Sequence, residues 1–131
     1  MTSVLDADGS LSWGGPVASI PPILLATPQR DRGGAVITLD GEIDISSAGQ
    51  IRDAVAECLR RPAPTSLLID LSAVTFCDCA GIAALEWAHG KARTGRMHFT
   101  LRGVDKRLRR VFTLAHAYGL LEACRPLRVA N

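Results

Sequence analysis

The chain has 131 residues, of which 47% are hydrophobic and 21% are charged, and this balance is typical of one globular domain with a single core. The formal net charge of +2 is too small to indicate a nucleic-acid-binding protein. No apolar run approaches the roughly 20 residues of a membrane-spanning helix, and the N-terminus lacks the pattern of a secretory signal. We therefore expect a cytoplasmic protein.

The first part of the chain divides into a tail and two strands. Residues 1–20 are rich in Gly, Ser, Ala and Asp without any period, so we predict a flexible N-terminal tail followed by one domain over residues 21–131. Residues 23–27 and 35–39 have strand patterns, and the Asp-Arg-Gly-Gly sequence between them favours a turn. These two strands should pair antiparallel.

The first helix is predicted to begin at Ser47, because Gln50 follows three residues later in a capping-box arrangement. Arg60 and Arg61 are expected in its last turn, and Pro62 should end it. Its apolar side holds Ile51, Val55, Cys58 and Leu59. Residues 66–71 then form a continuous apolar run, which is typical of a buried parallel strand.

A second helix is predicted over residues 79–93, with Trp87, Ala80 and Ala83 on the side opposite its apolar face. That apolar face holds Gly81, Ile82, Leu85, Ala88, His89 and Ala92. Residues 97–101 read as a further strand, and residues 127–130 as an edge strand.

Asp105 should cap a third helix, with Gly119 ending it. The inward side chains of this helix are predicted to be Leu108, Val111, Phe112 and Ala115. The order of strands and helices predicts an α/β fold, a small mixed sheet with a parallel centre, an antiparallel N-terminal hairpin and helices packed on it.

The most informative stretch is residues 70–82, DLSAVTFCDCAGI, in which a strand leads through a tight turn into a helix. A helix N-terminus offers free N–H groups and positive potential, which suit an anion or a phosphorylated side chain. We expect Asp78 to cap this helix and also to shape a loop that a protein partner contacts.

Together with Gly41-Glu42-Ile43-Asp44, this stretch resembles the STAS domain of bacterial anti-sigma-factor antagonists, over about residues 23–130. The resemblance implies the STAS fold and a protein that binds an anti-sigma factor with a kinase-type ATPase fold, which releases a sigma factor. From the small net charge and the lack of a long apolar run, we also expect no direct contact with nucleic acid and none with a membrane. In that family the anti-sigma kinase phosphorylates the serine after the aspartate, whereas here Cys79 and then Ala80 follow Asp78.

The resemblance also implies where the partner binds, namely at the start of the 79–93 helix and the loop around residues 44–47. The candidate contact residues are Asp44, Ser46, Ser47, Asp78, Cys79, Ala80, Gly81, Ala83 and Trp87. Because a thiol cannot replace a serine hydroxyl in the usual kinase reaction, we expect no regulation by phosphorylation at Cys79. Trp87 is either an anchor for the partner or covered by the N-terminal tail.

The cysteines leave several interpretations open. Cys79 is either inert packing or redox-sensitive, because a helix N-terminus lowers the pKa of a thiol, and Cys77 is expected on the same face. The second hypothesis for function is therefore a redox-sensitive STAS interaction module in a larger signalling assembly. A lone Cys-x-Cys lacks the second ligand pair of a zinc site, so we expect no metal and no cofactor.

Catalysis is not indicated, because the sequence holds no nucleophile–base–orienter set and no P-loop. A thiol enzyme that uses Cys79 with a distant histidine is the alternative from another class. The basic cluster over residues 106–110 is either a solvated helix face or a patch that binds a partner. The sequence also leaves open whether the chain forms a homodimer.

Overall fold

The computed structural model describes residues 4–5, 11–12, 23–60 and 62–124. Strands β1 (Val4–Leu5) and β2 (Leu11–Ser12) pair antiparallel. The main sheet contains β3 (Leu24–Asp31), β4 (Gly34–Ile43), β5 (Ser66–Cys77) and β6 (His98–Arg102), in that spatial order. β3 pairs antiparallel with β4, whereas β4–β5 and β5–β6 are parallel. The predicted mixed sheet and its antiparallel hairpin are confirmed.

Among the described residues, four helices connect or follow these strands: α1 (Ala48–Cys58), α2 (Cys79–Thr94), α3 (Lys106–Leu114) and α4 (Tyr118–Ala123). They meet the side of the sheet that carries its buried aliphatic residues, and Phe112 of α3 is fully buried there. The Asp105 carboxylate caps α3 as predicted, because it accepts a hydrogen bond from the Leu108 N–H at 2.8 Å.

The start of α1 differs from the predicted capping box. The Ser47 hydroxyl donates to the Glu42 carbonyl at 2.8 Å and accepts from the Asp44 N–H at 2.9 Å. The Gln50 side-chain amide donates to the Leu24 carbonyl at 3.0 Å. Neither side chain therefore caps the N–H groups of α1, because both bond to backbone groups of the strands or of the loop before the helix. α1 also ends at Cys58, so Arg60 lies beyond its last turn.

The C-terminal helical region is broken earlier than predicted. α3 ends at Leu114, Ala115 is exposed rather than inward, and Gly119 lies within α4 instead of ending α3. The cause is His116, which adopts a positive φ of 59°, so that the Ala117 N–H turns back to the Phe112 carbonyl at 2.9 Å. The strand predicted over residues 127–130 lies outside the described residues, as does most of the predicted tail.

Gly81 sets how closely α2 approaches the sheet. A Cβ atom on this glycine would lie 2.6 Å from Ile43 Cγ2 and 2.7 Å from Cys77 Sγ, inside van der Waals contact. The missing side chain therefore lets the first turn of α2 pack directly on the last residues of β4 and β5. Gly90, in the same helix, has no such neighbour within 4 Å.

This difference predicts opposite effects of one substitution at two sites. Gly81→Ala should lower the free energy of unfolding by about 1–3 kcal/mol, because the added methyl group overpacks the junction. Gly90→Ala, the matched control, should raise it by about 0.5–1 kcal/mol through helix propensity alone. Denaturant titration of both variants measures the two values, and a Gly81→Ala protein as stable as the wild type would contradict this packing.

Candidate functional site

The loop after β4 and the turn after β5 lie side by side. The last residues of the two parallel strands, Ile43 and Cys77, are paired in register. The Asp78 N–H then donates to the Ile43 carbonyl at 3.1 Å. The sequence prediction placed both segments at one site, and the structure brings them together at the carboxyl edge of the sheet.

The loop over residues 44–47 is organised by one carboxylate. Asp44 Oδ1 accepts hydrogen bonds from the Ser46 N–H at 2.9 Å, the Ser46 hydroxyl at 2.7 Å and the Ser47 N–H at 3.1 Å. The hydrogen bond from the Ser46 hydroxyl is the main reason that the pKa of the Asp44 carboxyl is lowered. Ser47 is buried, so it supports the loop from below while Ser46 stays exposed.

Asp78 caps α2 as the sequence predicted. Its Oδ1 accepts from the Ala80 N–H at 2.9 Å and the Gly81 N–H at 3.1 Å. Two of the N–H groups at the start of α2 are thus already bonded, so this helix end is less open to an outside anion than the sequence suggested.

The two neighbouring cysteines occupy different environments, so the prediction of a shared face is wrong. Cys77 ends β5 and is buried against Gly81, whereas Cys79 begins α2 and is exposed. The turn at Asp78 separates them, because the chain changes there from extended to helical backbone. Burial raises the pKa of Cys77 to about 12, with a further contribution from the Asp78 carboxylate.

The remaining candidate residues lie along α2. Ala83 is exposed, Ala80 is partly buried, and Gly81 is buried. Trp87 is partly buried against the core, and Lys91 Nζ lies 5.5 Å from its ring centroid. Ala83 and Trp87 are four residues apart and therefore follow the same side of the helix.

Two exposed apolar side chains at this edge escaped sequence reasoning. Ile45 is 86% exposed at the tip of the loop, and Phe76 is 50% exposed near the end of β5. The sequence could have indicated Ile45, because it is an isolated aliphatic residue between the polar residues Asp44 and Ser46, in a predicted loop rather than in a strand. Such residues are candidates for contact with a protein partner.

Other site classes find little support in the part of the chain that the structure describes. There, no group of three or more His, Cys, Asp or Glu side chains is placed to hold a metal ion. His89 stacks on Phe99 with 4.8 Å between ring centroids, and burial lowers its pKa, so it packs as a neutral ring. No described helix is long and apolar enough to cross a membrane.

Comparison with known proteins agrees with this architecture. Residues 25–127 match the family model of the STAS domain. Over 67 residues the chain is 37% identical to the anti-sigma-F factor antagonist RsfB of Mycobacterium tuberculosis. This aligned region is 51% of this chain and 54% of RsfB. The chain thus matches the curated relatives over about half of their length.

Solved structures show the same fold. The unphosphorylated form of the anti-sigma factor antagonist SpoIIAA of Bacillus superposes with a TM-score of 0.65 at 20% identity, over 77% of this chain and 86% of SpoIIAA. An anti-sigma factor antagonist of Mycobacterium paratuberculosis gives a TM-score of 0.61 at 26% identity, over 77% of this chain and 85% of that one. Because the family model matches most of this chain, residues 25–127, and the fold agrees, the chain belongs to the STAS domain family.

Proposed function

We propose that this chain is an anti-sigma-factor antagonist, which binds an anti-sigma factor with a kinase-type ATPase fold and so releases a sigma factor. The observation that carries the proposal is the junction of the 44–47 loop with the Cys79 turn, in a chain 37% identical to RsfB over 67 residues. The proposal places the protein in the cytoplasm and gives it a binding role rather than a catalytic one.

The proposed contact surface, called here the strand-end surface, consists of residues 44–46 with Cys79, Ala80 and Ala83. Its exposed members supply a hydroxyl, a thiol and the aliphatic side chain of Ile45, and the partly buried Asp44 supplies a carboxylate. Ser47, Asp78 and Gly81 act from beneath this surface, because they hold the loop and the helix end in place. Trp87 lies one turn beyond Ala83, at the margin of the surface.

The proposal includes a change in regulation. The resemblance equates Cys79 with the family's phosphorylated serine, and Cys79 is exposed at the first position of α2. Neither Cys79 nor Ala80 offers a hydroxyl, so an anti-sigma kinase finds no acceptor at this turn. The antagonist would then be controlled by its abundance or by its partner rather than by phosphorylation there.

The redox-sensitive alternative gains less support. An internal switch between Cys77 and Cys79 needs two accessible thiols, but Cys77 is buried and its raised pKa keeps it protonated at neutral pH. Cys79 remains as a single exposed thiol.

Phosphorylation of the turn tests the regulatory part of the proposal. The immobilised chain first captures the proposed anti-sigma factor from extracts of the native cells. When the wild-type chain is then incubated with this factor and ATP, mass spectrometry should find residues 76–85 unmodified. Cys79→Ser should gain one phosphate in the same segment, because it restores the hydroxyl at an exposed position. Cys79→Ala is the control and should stay unmodified. Phosphate on the wild-type segment would refute this part.

Ile45 tests the binding surface. Ile45→Asp should weaken association with that anti-sigma factor by about tenfold or more, because it places a charge where an apolar contact is proposed. Its thermal stability should be unchanged, since Ile45 is 86% exposed. Leu25→Asp is the matched control on β3, where the side chain is 54% exposed, and it should bind like the wild type. Calorimetric titration in which Ile45→Asp binds as tightly as the wild type would remove the loop from the interface.

A further inference from the structure

Strand β5 is longer than its neighbour β6, which leaves part of one strand edge open. β6 pairs with β5 only from Ser66 to Asp70, whereas β4 follows β5 as far as Cys77. After Asp70 the chain from β6 to α3 packs on Ser72, where a Cβ on Gly103 would lie 2.7 Å from the Ser72 nitrogen. Beyond that contact, residues 73–77 have a strand on one side only within the part of the chain that the structure describes.

The open edge carries free backbone groups. Alternate residues of a strand direct their N–H and C=O groups to opposite sides, so part of this stretch points away from β4. Among the described residues, no other segment donates to or accepts from the backbone of residues 74–76 on that side. Such an edge is able to accept an added strand.

The opposite edge of the sheet is protected by contrast. On β3, Pro28 has no N–H group, and the Gln50 amide bonds to the Leu24 carbonyl. The Arg30 guanidinium reaches from β3 to the Cys58 carbonyl at 3.4 Å. β3 thus carries a proline and a carbonyl already bonded to α1, which makes it a poorer site for an added strand than residues 73–77 of β5.

Helix α3 runs beside the open edge and forms a groove with it. The groove has a volume of about 230 Å³ and is lined by residues 74–77 of β5 and by Arg107, Leu108 and Val111 of α3. An apolar cavity of about 150 Å³ holds benzene, so this groove has room for one large apolar side chain. Its apolar wall extends to the surface at Phe76, which is 50% exposed.

The helix side of the groove is cationic. Arg107, Arg110, Val111 and Leu114 follow one side of α3 at helical spacing, and Leu114 is 74% exposed. Arg107 has one long ion pair, 3.9 Å to the exposed Asp105, which contributes little. No carboxylate of the described residues lies within 4 Å of the Arg110 guanidinium. An apolar strip is thus bordered by two cations with little counter-charge.

We propose that the groove between residues 73–77 and α3, the β5–α3 groove, binds an extended acidic segment of a partner protein. The segment adds a strand to the free edge of β5 and inserts an apolar side chain between Phe76 and Val111. Its carboxylates pair with Arg107 and Arg110. This site goes beyond the antagonist function, because it requires neither an anti-sigma factor nor the strand-end surface.

A library of random peptides of about 12 residues, displayed on phage and selected on the full chain, tests the proposal. Enriched peptides should combine an aromatic or aliphatic residue with Asp or Glu. A synthetic copy of an enriched peptide should bind about tenfold more weakly to the double variant Arg107→Glu with Arg110→Glu. Arg52→Glu with Arg60→Glu, the matched control on the α1 side, should bind like the wild type, and so should Cys79→Asp.

Amide chemical shifts should change on peptide addition at residues 73–77 and along α3. Enrichment without acidic residues, equal binding by the Arg107/Arg110 variant, or shifts centred on residues 44–47 would each overturn the proposal. Two further results would assign the groove to another occupant and so overturn the proposal. If the groove amides shift when the acidic residues of the chain's own N-terminal part are reversed (Asp6→Lys with Asp8→Lys), that part is the occupant. If the chain forms a dimer that Leu114→Asp dissociates, a second copy is the occupant.

Discussion

The close packing of Gly81 on the ends of β4 and β5 is the constraint on which the candidate site depends. Ile43 and Cys77 end two parallel strands in register, and α2 starts directly above them because Gly81 has no side chain. The Asp78 backbone bonds to β4 while its carboxylate caps α2. One short stretch thereby fixes both the helix end and the adjacent loop, so that the strand-end surface forms without a partner.

Much of the fold follows from local sequence patterns. The hairpin, the parallel strand that begins at residue 66 and the caps at Asp78 and Asp105 need only nearby residues, and all are found, although burial alternates along the strand instead of being continuous. The errors have two different causes. Gln50 resembles a capping residue but bonds to β3, so a contact distant in sequence overrides its local preference. His116 takes a left-handed conformation that no local pattern indicated, and the chain turns there through bonds within its own segment.

The site shows the same division. The resemblance to STAS domains placed the loop around residues 44–47 and the start of the 79–93 helix at one site, and the structure supplies the reason, because the parallel strands β4 and β5 end at one edge of the sheet. Sequence reasoning did not separate Cys77 from Cys79, since the orientation of each thiol depends on where β5 ends and the helix begins. The β5–α3 groove was also beyond its reach, because the groove exists only where β6 stops short of β5. The basic run on α3 was visible in the sequence, but the apolar surface beside it was not.

We propose a STAS domain whose partner surface is preformed and whose switch residue is replaced, and in which the loop and the helix start act as one surface. Hydrogen–deuterium exchange of the chain, alone and bound to the proposed anti-sigma factor, tests this claim most directly. We expect the amides of residues 44–47 and 78–83 to become protected together on binding. Protection of only one segment, or of neither, would contradict it.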